Sequence, residues 1–344
     1  MSKRESARVA IESTRPEKET VFAAVQTAME KANWRDYIIP NADISLKPNL
    51  GWDKLIPGAI SAPWVVEAVI LTIRDYVGKI FMVESDQVVC NADHSVRLTG
   101  IYDICQRHNI PWVNMSRGEF TEYKLKDRLV LHHVKIPKIL SETELITLPL
   151  MKTHNKTTIT GAIKNQWGCL QELRHNFHPV LPQALVDVSW FTQPRFAIMD
   201  ATIGLEGNGP KSGTPKEMNL VLASGNLVGI DAIAARIMGF KPDEIEHLVL
   251  CAKNGFGSLS PEVVGAKVSE VKTQFAPAEH NLVSITEILF RNSSFARLVF
   301  HTPLFKIMTW TTRRYYDLWD ILVGRKTRKE IRKSGYFIQF LKPN

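Results

Sequence analysis

The stretch ELITLPLMKTHNKTTITGAIKNQWGCL, residues 144–170, decides the reading of the whole chain. Leu145 to Leu150 is a short apolar run of strand type, of the kind buried on both faces of a sheet. It breaks into Lys152, Thr153, His154, Asn155 and Lys156, then Thr157, Thr158 and Thr160, before Gly161, Lys164, Asn165 and Gly168. Cations, an imidazole and hydroxyls just beyond a buried strand are what an α/β protein needs to handle an anion. If the strand continues, Lys152 and His154, two residues apart, project from the same side. Lys164 and Asn165 follow Gly161, where backbone can come close to a ligand. Lysine here balances a phosphate or carboxylate or, when desolvated, serves as a base or Schiff-base former. The plainer reading is a polar loop whose threonines cap a helix.

Working outward, strands and helices alternate. Ala7 to Ile11, Ile44 to Leu46, Lys79 to Val83, Ile110 to Asn114, Phe196 to Met199 and Asn219 to Ala223 read as strands. Helices are expected after Pro16 (Val21, Ala24, Val25 and Ala28 on one face), from Pro63, around His94 to Arg107, and over Leu181 to Val188, Leu227 to Met238 and Asp243 to Lys253. Residues 121–136 look like a β excursion. Together these predict an α/β fold: a mixed, largely parallel sheet flanked by helices, with polar residues collected at strand ends. The body spans 1–282, and a basic, aromatic-rich helical tail spans 283–344.

Two further constellations sit at strand ends. Asp200 is followed by Glu206, Gly207, Gly209, Lys211 and Gly213. No G-x-x-x-x-G-K-[ST] is present, so this is not a Walker loop, and Pro210 and Pro215 lead back to a strand, which argues against a dinucleotide fingerprint. It reads either as a backbone-amide nest completed by Lys211 or as a wide structural turn, with Asp200 and Glu206 as candidate acid/base groups or hard-metal ligands. Asp231 lies among Leu227, Ala234, Ala235 and Met238, where a carboxylate is costly unless cations or donors meet it. The expectation is a supporting role, such as a salt bridge that holds Lys152 or Lys164. His154, His175 and His178 are metal-ligand candidates by type alone.

The formal charge of +8 belongs to the tail: from Val283 onward 12 Lys/Arg face 4 Asp/Glu, and the preceding body is neutral. The tail reads as a docked helical cap or oligomer contact, or as a membrane-surface element; nucleic acid ranks last because no recognised module is present. Cys90, Cys105, Cys169 and Cys251 are scattered without C-x-x-C spacing, which argues against an intrinsic iron–sulfur cluster and for reduced thiols. With no signal-like start and no bilayer-length apolar run, the expected location is cytoplasmic, either free or peripheral to a membrane.

Lys47-Pro48-Asn49-Leu50, the Lys152-Thr153-His154 to Lys164-Asn165 segment through Gly168, Asp200 with Glu206 to Gly213, and Ser224 with Asp231 resemble in order the family labelled domain of unknown function 362. The resemblance covers about residues 40–260. It implies an α/β fold and a cytoplasmic prokaryotic protein, and many relatives carry a ferredoxin-type module whose cysteines are absent from this chain. The Lys/His segment also looks like part of the cofactor site of nickel-pincer lactate racemases, which implies a nucleotide-like cofactor or a metal. The resulting expectation is an enzyme for a small anionic ligand. Lys152, His154, Lys164, Asp200 and Glu206 would be catalytic, and Lys47, Asn49, Thr153, Asn165, Gly207, Gly209, Lys211 and Ser224 would bind. A non-catalytic scaffold or a redox protein with an external cluster are the alternatives.

Overall fold

Lys47 and Thr147 are register partners at the ends of two parallel strands, and the sheet extends from that pair in both directions. A computed structural model describes residues 7–170, 172–279 and 304–341, and of Glu172, Leu173, His175 and Phe305 the backbone alone. In chain order the strands are β1 (Val9–Ser13), β2 (Ile44–Lys47), β3 (Ile80–Glu84), β4 (Trp112–Asn114), β5 (Phe120–Lys124), β6 (His133–Pro137), β7 (Glu144–Thr147), β8 (Leu150–His154), β9 (Thr158–Ile159), β10 (Phe196–Glu206), β11 (Thr214–Ser224) and β12 (Val263–Gly265). Ten of them form one sheet along the path β12-β1-β11-β10-β7-β2-β3-β4, with β8 against β10 and β9 against β8. The run from β10 to β4 is parallel, and β11 is antiparallel to both β1 and β10. β5 and β6 pair antiparallel as a separate two-stranded sheet, where the sequence reads as a β excursion.

Alternation along the strands builds a core on each face. Leu145, Ala197 and Met199 pack with the Leu181–Thr192, Leu227–Met238 and Glu246–Lys253 helices. Ile146, Phe196 and Ile198 pack with the Lys18–Lys31, Pro63–Ile73 and Ile101–Arg107 helices. This is the sandwich expected when a parallel sheet must be covered on both sides. From β2 the chain crosses through the Pro63–Ile73 helix to β3, whereas β7 lies on the other side of β2. The connections diverge there, at the carboxyl ends of β2 and β7, the topological position at which open α/β sheets bind ligands.

Three local differences from the sequence reading have simple causes. The helix expected over 94–107 is two, Ala92–Leu98 and Ile101–Arg107, because Gly100 adopts φ +81° and ends the first. The apolar run 145–150 does not simply end: β7 stops before Pro149, which has no N–H to donate, and the chain resumes as β8 through His154. β10 and β11 are both longer than expected and form an extended hairpin, so Gly204 to Glu206 belong to a strand instead of a loop.

The described part of the tail begins with the Leu304–Trp319 helix, which continues through a wide turn at Asp320–Gly324 into Arg325–Ile331. Its end is built into the body. Tyr336, Phe337 and Phe340 join the core beside the Pro63–Ile73 helix, and the Tyr336 hydroxyl donates to Asn219 Oδ1 at 2.8 Å. The 282/283 boundary and tail residues 283–303 lie outside the described residues. No described helix is long and apolar enough to cross a membrane.

Candidate anion site

That end of the sheet collects cations. Lys47, at the end of β2, pairs with Glu84 at the end of β3 at 2.8 Å, and both side chains are almost completely buried. Glu84 is further fixed by the N–H groups of Ser85 (2.9 Å) and Leu50 (3.4 Å). Gly168 lets the next segment close over this pair, because a Cβ there would lie 2.6 Å from Glu84 Oε1 and 2.8 Å from Lys47 Nζ.

β8 supplies the second layer. Lys152 is buried, and its Nζ donates to Asn49 Oδ1 at 3.0 Å and to the Ala59 carbonyl at 2.8 Å. Asn49 in turn donates through Nδ2 to Asn165 Oδ1 at 2.9 Å, and Asn165 donates to Thr147 Oγ1 at 2.8 Å. This chain ties the ends of β2, β7 and β8 together and fixes the orientation of each amide. Among the described residues no carboxylate bonds to Lys152. Burial and the nearby Lys211 lower its amine to about 7, with Lys47 adding to the effect. That disfavours the ammonium by about 5 kcal/mol.

His154, on the same side as Lys152, is buried, and its Nδ1 accepts the Lys156 N–H at 3.0 Å. Burial first, then the charges of Lys164, His178 and Lys152, hold it well below the usual imidazole range. It is therefore neutral, with the proton on Nε2.

Lys164 comes from the short Gly161–Asn165 helix, which Asp231 holds by its N-terminus. The Asp231 carboxylate accepts from the N–H groups of Ala162 at 2.5 Å and Ile163 at 2.9 Å. The sequence reading asks for a cation or donors at Asp231 and a supporting role; the structure supplies backbone donors. With no cation against it, burial raises the carboxyl to about 7. Gly161 sits at φ +61° against this carboxylate, where a Cβ would collide with it. Lys164 itself is half-buried over the Trp167 ring, 5.5 Å from its centroid. Burial and the charges of Arg174, Lys152 and Lys47 push its amine well below the lysine range.

Lys211 reaches in from the β10–β11 turn and lies 4.8 Å over the ring of Trp52. Burial lowers it to about 8, against the opposing pull of Cys90 and Asp53. Arg174 completes the group: it is buried and donates to Ser85 Oγ at 3.1 Å and to the Leu170 and Asp86 carbonyls. Beside these cations the indole N–H groups of Trp52 and Trp167 are buried with no hydrogen-bond partner among the described residues, as are Thr160 Oγ1 and His247 Nε2.

Other expected site residues are turned elsewhere. Asp200 accepts from Thr202 N (3.0 Å), Thr202 Oγ1 (2.7 Å) and Ala62 N (3.2 Å), at the start of the Pro63–Ile73 helix. Glu206 pairs with Lys216 at 3.0 Å, and Ser224 donates to the Arg8 carbonyl while capping Asn226. Thr153, opposite in direction to its neighbours, donates to the carbonyls of Leu205 and Gly207. The amides of Gly207 and Gly209 are spent on the Ala276 and Gly207 carbonyls, so they form no nest for an anion. Glu206 is turned away because β10 and β11 are longer than the sequence suggests and pair with each other there.

The sequence reading missed Glu84, Arg174, Trp52 and Trp167. Glu84 carried a signal, a carboxylate ending an apolar strand; Arg174 carried none, since it lies in an irregular turn before Leu181. Among the described residues no three His, Cys, Asp or Glu side chains gather in a metal-binding geometry. His178 stacks on Trp167 at 6.1 Å, and the His175 side chain lies outside the described residues. The four cysteines are buried and dispersed, with Cys90 pushed up to about 11 and Cys105 and Cys169 to about 12 by burial. Thiols this dispersed do not gather the ligand set of an iron–sulfur cluster among the described residues.

Fold and site together define an α/β protein whose sheet carries, at a divergence of its crossovers, a buried cluster of lysines around a neutral histidine. The chain belongs to the family described as domain of unknown function (DUF362), whose model matches residues 44–236. It is also similar to the thylakoid-associated protein sll1697 of Synechocystis sp. (strain ATCC 27184 / PCC 6803 / Kazusa), with 26% identity over 256 residues, covering 71% of this chain and 78% of that one.

Proposed function

We propose that the protein is an enzyme that binds a small, multiply charged anion at the ends of β2, β7 and β8 and uses Lys152 as its base or nucleophile. One observation carries the reading: Lys47, Lys152, Lys164 and Lys211 cluster at one end of the sheet, while Glu84 is the only wholly buried carboxylate paired with any of these lysines among the described residues. Packing cations together without counter-charge is expensive, and such arrangements concentrate at functional sites. A phosphate or carboxylate group would supply the missing charge. The unpartnered indole N–H groups of Trp52 and Trp167 add donors beside Lys211 and Lys164.

Lys152 suits a chemical role because its two hydrogen bonds, to Asn49 and Ala59, can both be made by the neutral amine. The lone pair is then left for a proton or an electrophilic carbon. Neutral His154 presents Nε2–H, a donor able to polarise a substrate oxygen without carrying charge. Asn49 and Asn165 position Lys152.

Titration calorimetry with inorganic phosphate and pyrophosphate, with native mass spectrometry of the purified protein, tests the reading. The wild type should bind or retain an anion that Lys152→Ala and Lys211→Ala lose. Equal binding in the variants, or no anion bound by the wild type, would sink it. The name of the Synechocystis relative associates that protein with thylakoids, which supports for this chain a cytoplasmic place beside a membrane.

A further inference from the structure

Eleven large hydrophobic side chains are exposed among the described residues, and nine of them lie between Leu304 and Leu341. Patches of that kind mark interaction surfaces, because soluble surfaces otherwise scatter such residues singly. On the Leu304–Trp319 helix and its continuation, Leu304, Ile307, Leu318, Ile321 and Leu322 recur at helical spacing, with Trp310 at the edge of the stripe. Trp310 is 62% exposed and Leu322 67%.

The opposite face of the helix is already used. Tyr316 packs edge-on against Trp52 with centroids 4.9 Å apart, Asp317 pairs with Lys54 at 2.7 Å, and Arg313 donates to the Val88 carbonyl at 3.0 Å. The stripe therefore points away from the body on a helix that cannot roll over to hide it.

Charge selects the occupant. From Leu304 to Leu341 there are nine Lys/Arg and three Asp/Glu, and Arg314, Arg325, Lys326 and Lys329 are exposed along the same helical segment. A second copy would bring the same excess positive charge face to face. An anionic bilayer meets both features at once: the apolar stripe enters the acyl boundary and the cations sit at the headgroups. We propose that residues 304–323 form an interfacial helix that docks the protein on an anionic lipid surface. The inference rests on the membrane-side placement proposed above and is independent of the anion site. Because the helix lies directly over Trp52, docking holds the Lys211 edge of that site about one helix diameter, roughly 10 Å, from the lipid.

The test is co-sedimentation of the full chain with vesicles of pure phosphatidylcholine and of equimolar phosphatidylcholine and phosphatidylglycerol, comparing wild type with Ile307→Glu/Leu322→Glu. Both positions are exposed, so the melting temperature should stay unchanged. The wild type should bind the anionic vesicles, with Trp emission shifted to the blue, and bind neutral vesicles weakly; the double variant should lose at least about tenfold in affinity. Undiminished binding by the variant overturns the helix but leaves membrane placement standing. Absence of binding to either vesicle overturns both, and a dimer by light scattering that the variant abolishes shows a second copy as the occupant instead.

Discussion

Lys152 Nζ and Asn49 Oδ1 stand 3.0 Å apart, joining β8 to the turn after β2. The amide cannot reverse without breaking its donor bond to Asn165, so the amine is met by a fixed acceptor from one side and by the Ala59 carbonyl from another. A lysine so held, and not paired to an acid, is poised for a ligand more than for stability.

Replacing it separates those roles. Lys152→Met removes a charge that burial penalises but leaves the Ala59 carbonyl unpartnered; the two effects oppose, and net stability should move by no more than about 2 kcal/mol. Anion affinity should fall by roughly two orders of magnitude. Chemical denaturation with calorimetric titration measures both.

Protons should follow the anion. Lys152 at about 7 and Lys211 at about 8 are partly or largely neutral at pH 8.5, and an anion stabilises their charged forms. Binding should therefore take up protons, seen as a dependence of the apparent enthalpy on buffer ionisation, and affinity should weaken as pH rises from 7 to 9. In the free protein the folded state holds fewer protons on these lysines than the unfolded chain does across that range, so their contribution to stability rises with pH. Lys152→Met should flatten that slope. Proton release on binding would contradict the assignment.

Glu84 carries the opposite expectation. Glu84→Gln leaves the Lys47 ammonium buried with no counter-charge, for a loss of about 3–5 kcal/mol. A loss under about 1 kcal/mol in urea unfolding would show that Lys47 finds another partner.

Asp231 acts through the backbone. Asp231→Ala strips the buried N–H groups of Ala162 and Ile163 of their acceptor, at about 1–3 kcal/mol each. Gly161→Ala should be at least as damaging, since it adds a Cβ at positive φ against that carboxylate. Both should weaken anion binding through Lys164. Hydrogen exchange at Ala162 and Ile163 should rise in Asp231→Ala before global unfolding; unchanged protection would refute the capping role.

The layered architecture is legible in the amino-acid sequence. Apolar periodicity is a local property, and it placed Ile44–Leu46, the 145–150 run, the Pro63 helix and the Leu227–Met238 helix close to where they form. It also brought out Lys47, Asn49, Lys152, His154, Lys164 and Asn165, because cations and amides just past buried strands interrupt that periodicity. Tertiary structure alone decided which polar groups meet. Asp200 and Glu206 read in the chain as candidate acid/base groups or as part of a wide turn, and the structure spends them on Thr202 and Lys216 along the lengthened β10–β11 hairpin. Glu84 and Arg174 join the cation cluster because β3 lies beside β2 and an irregular turn folds back to Ser85. Local pattern fixes which residues are buried or at a strand end; the partner of a buried charge depends on contacts scores of residues away, which no local pattern records.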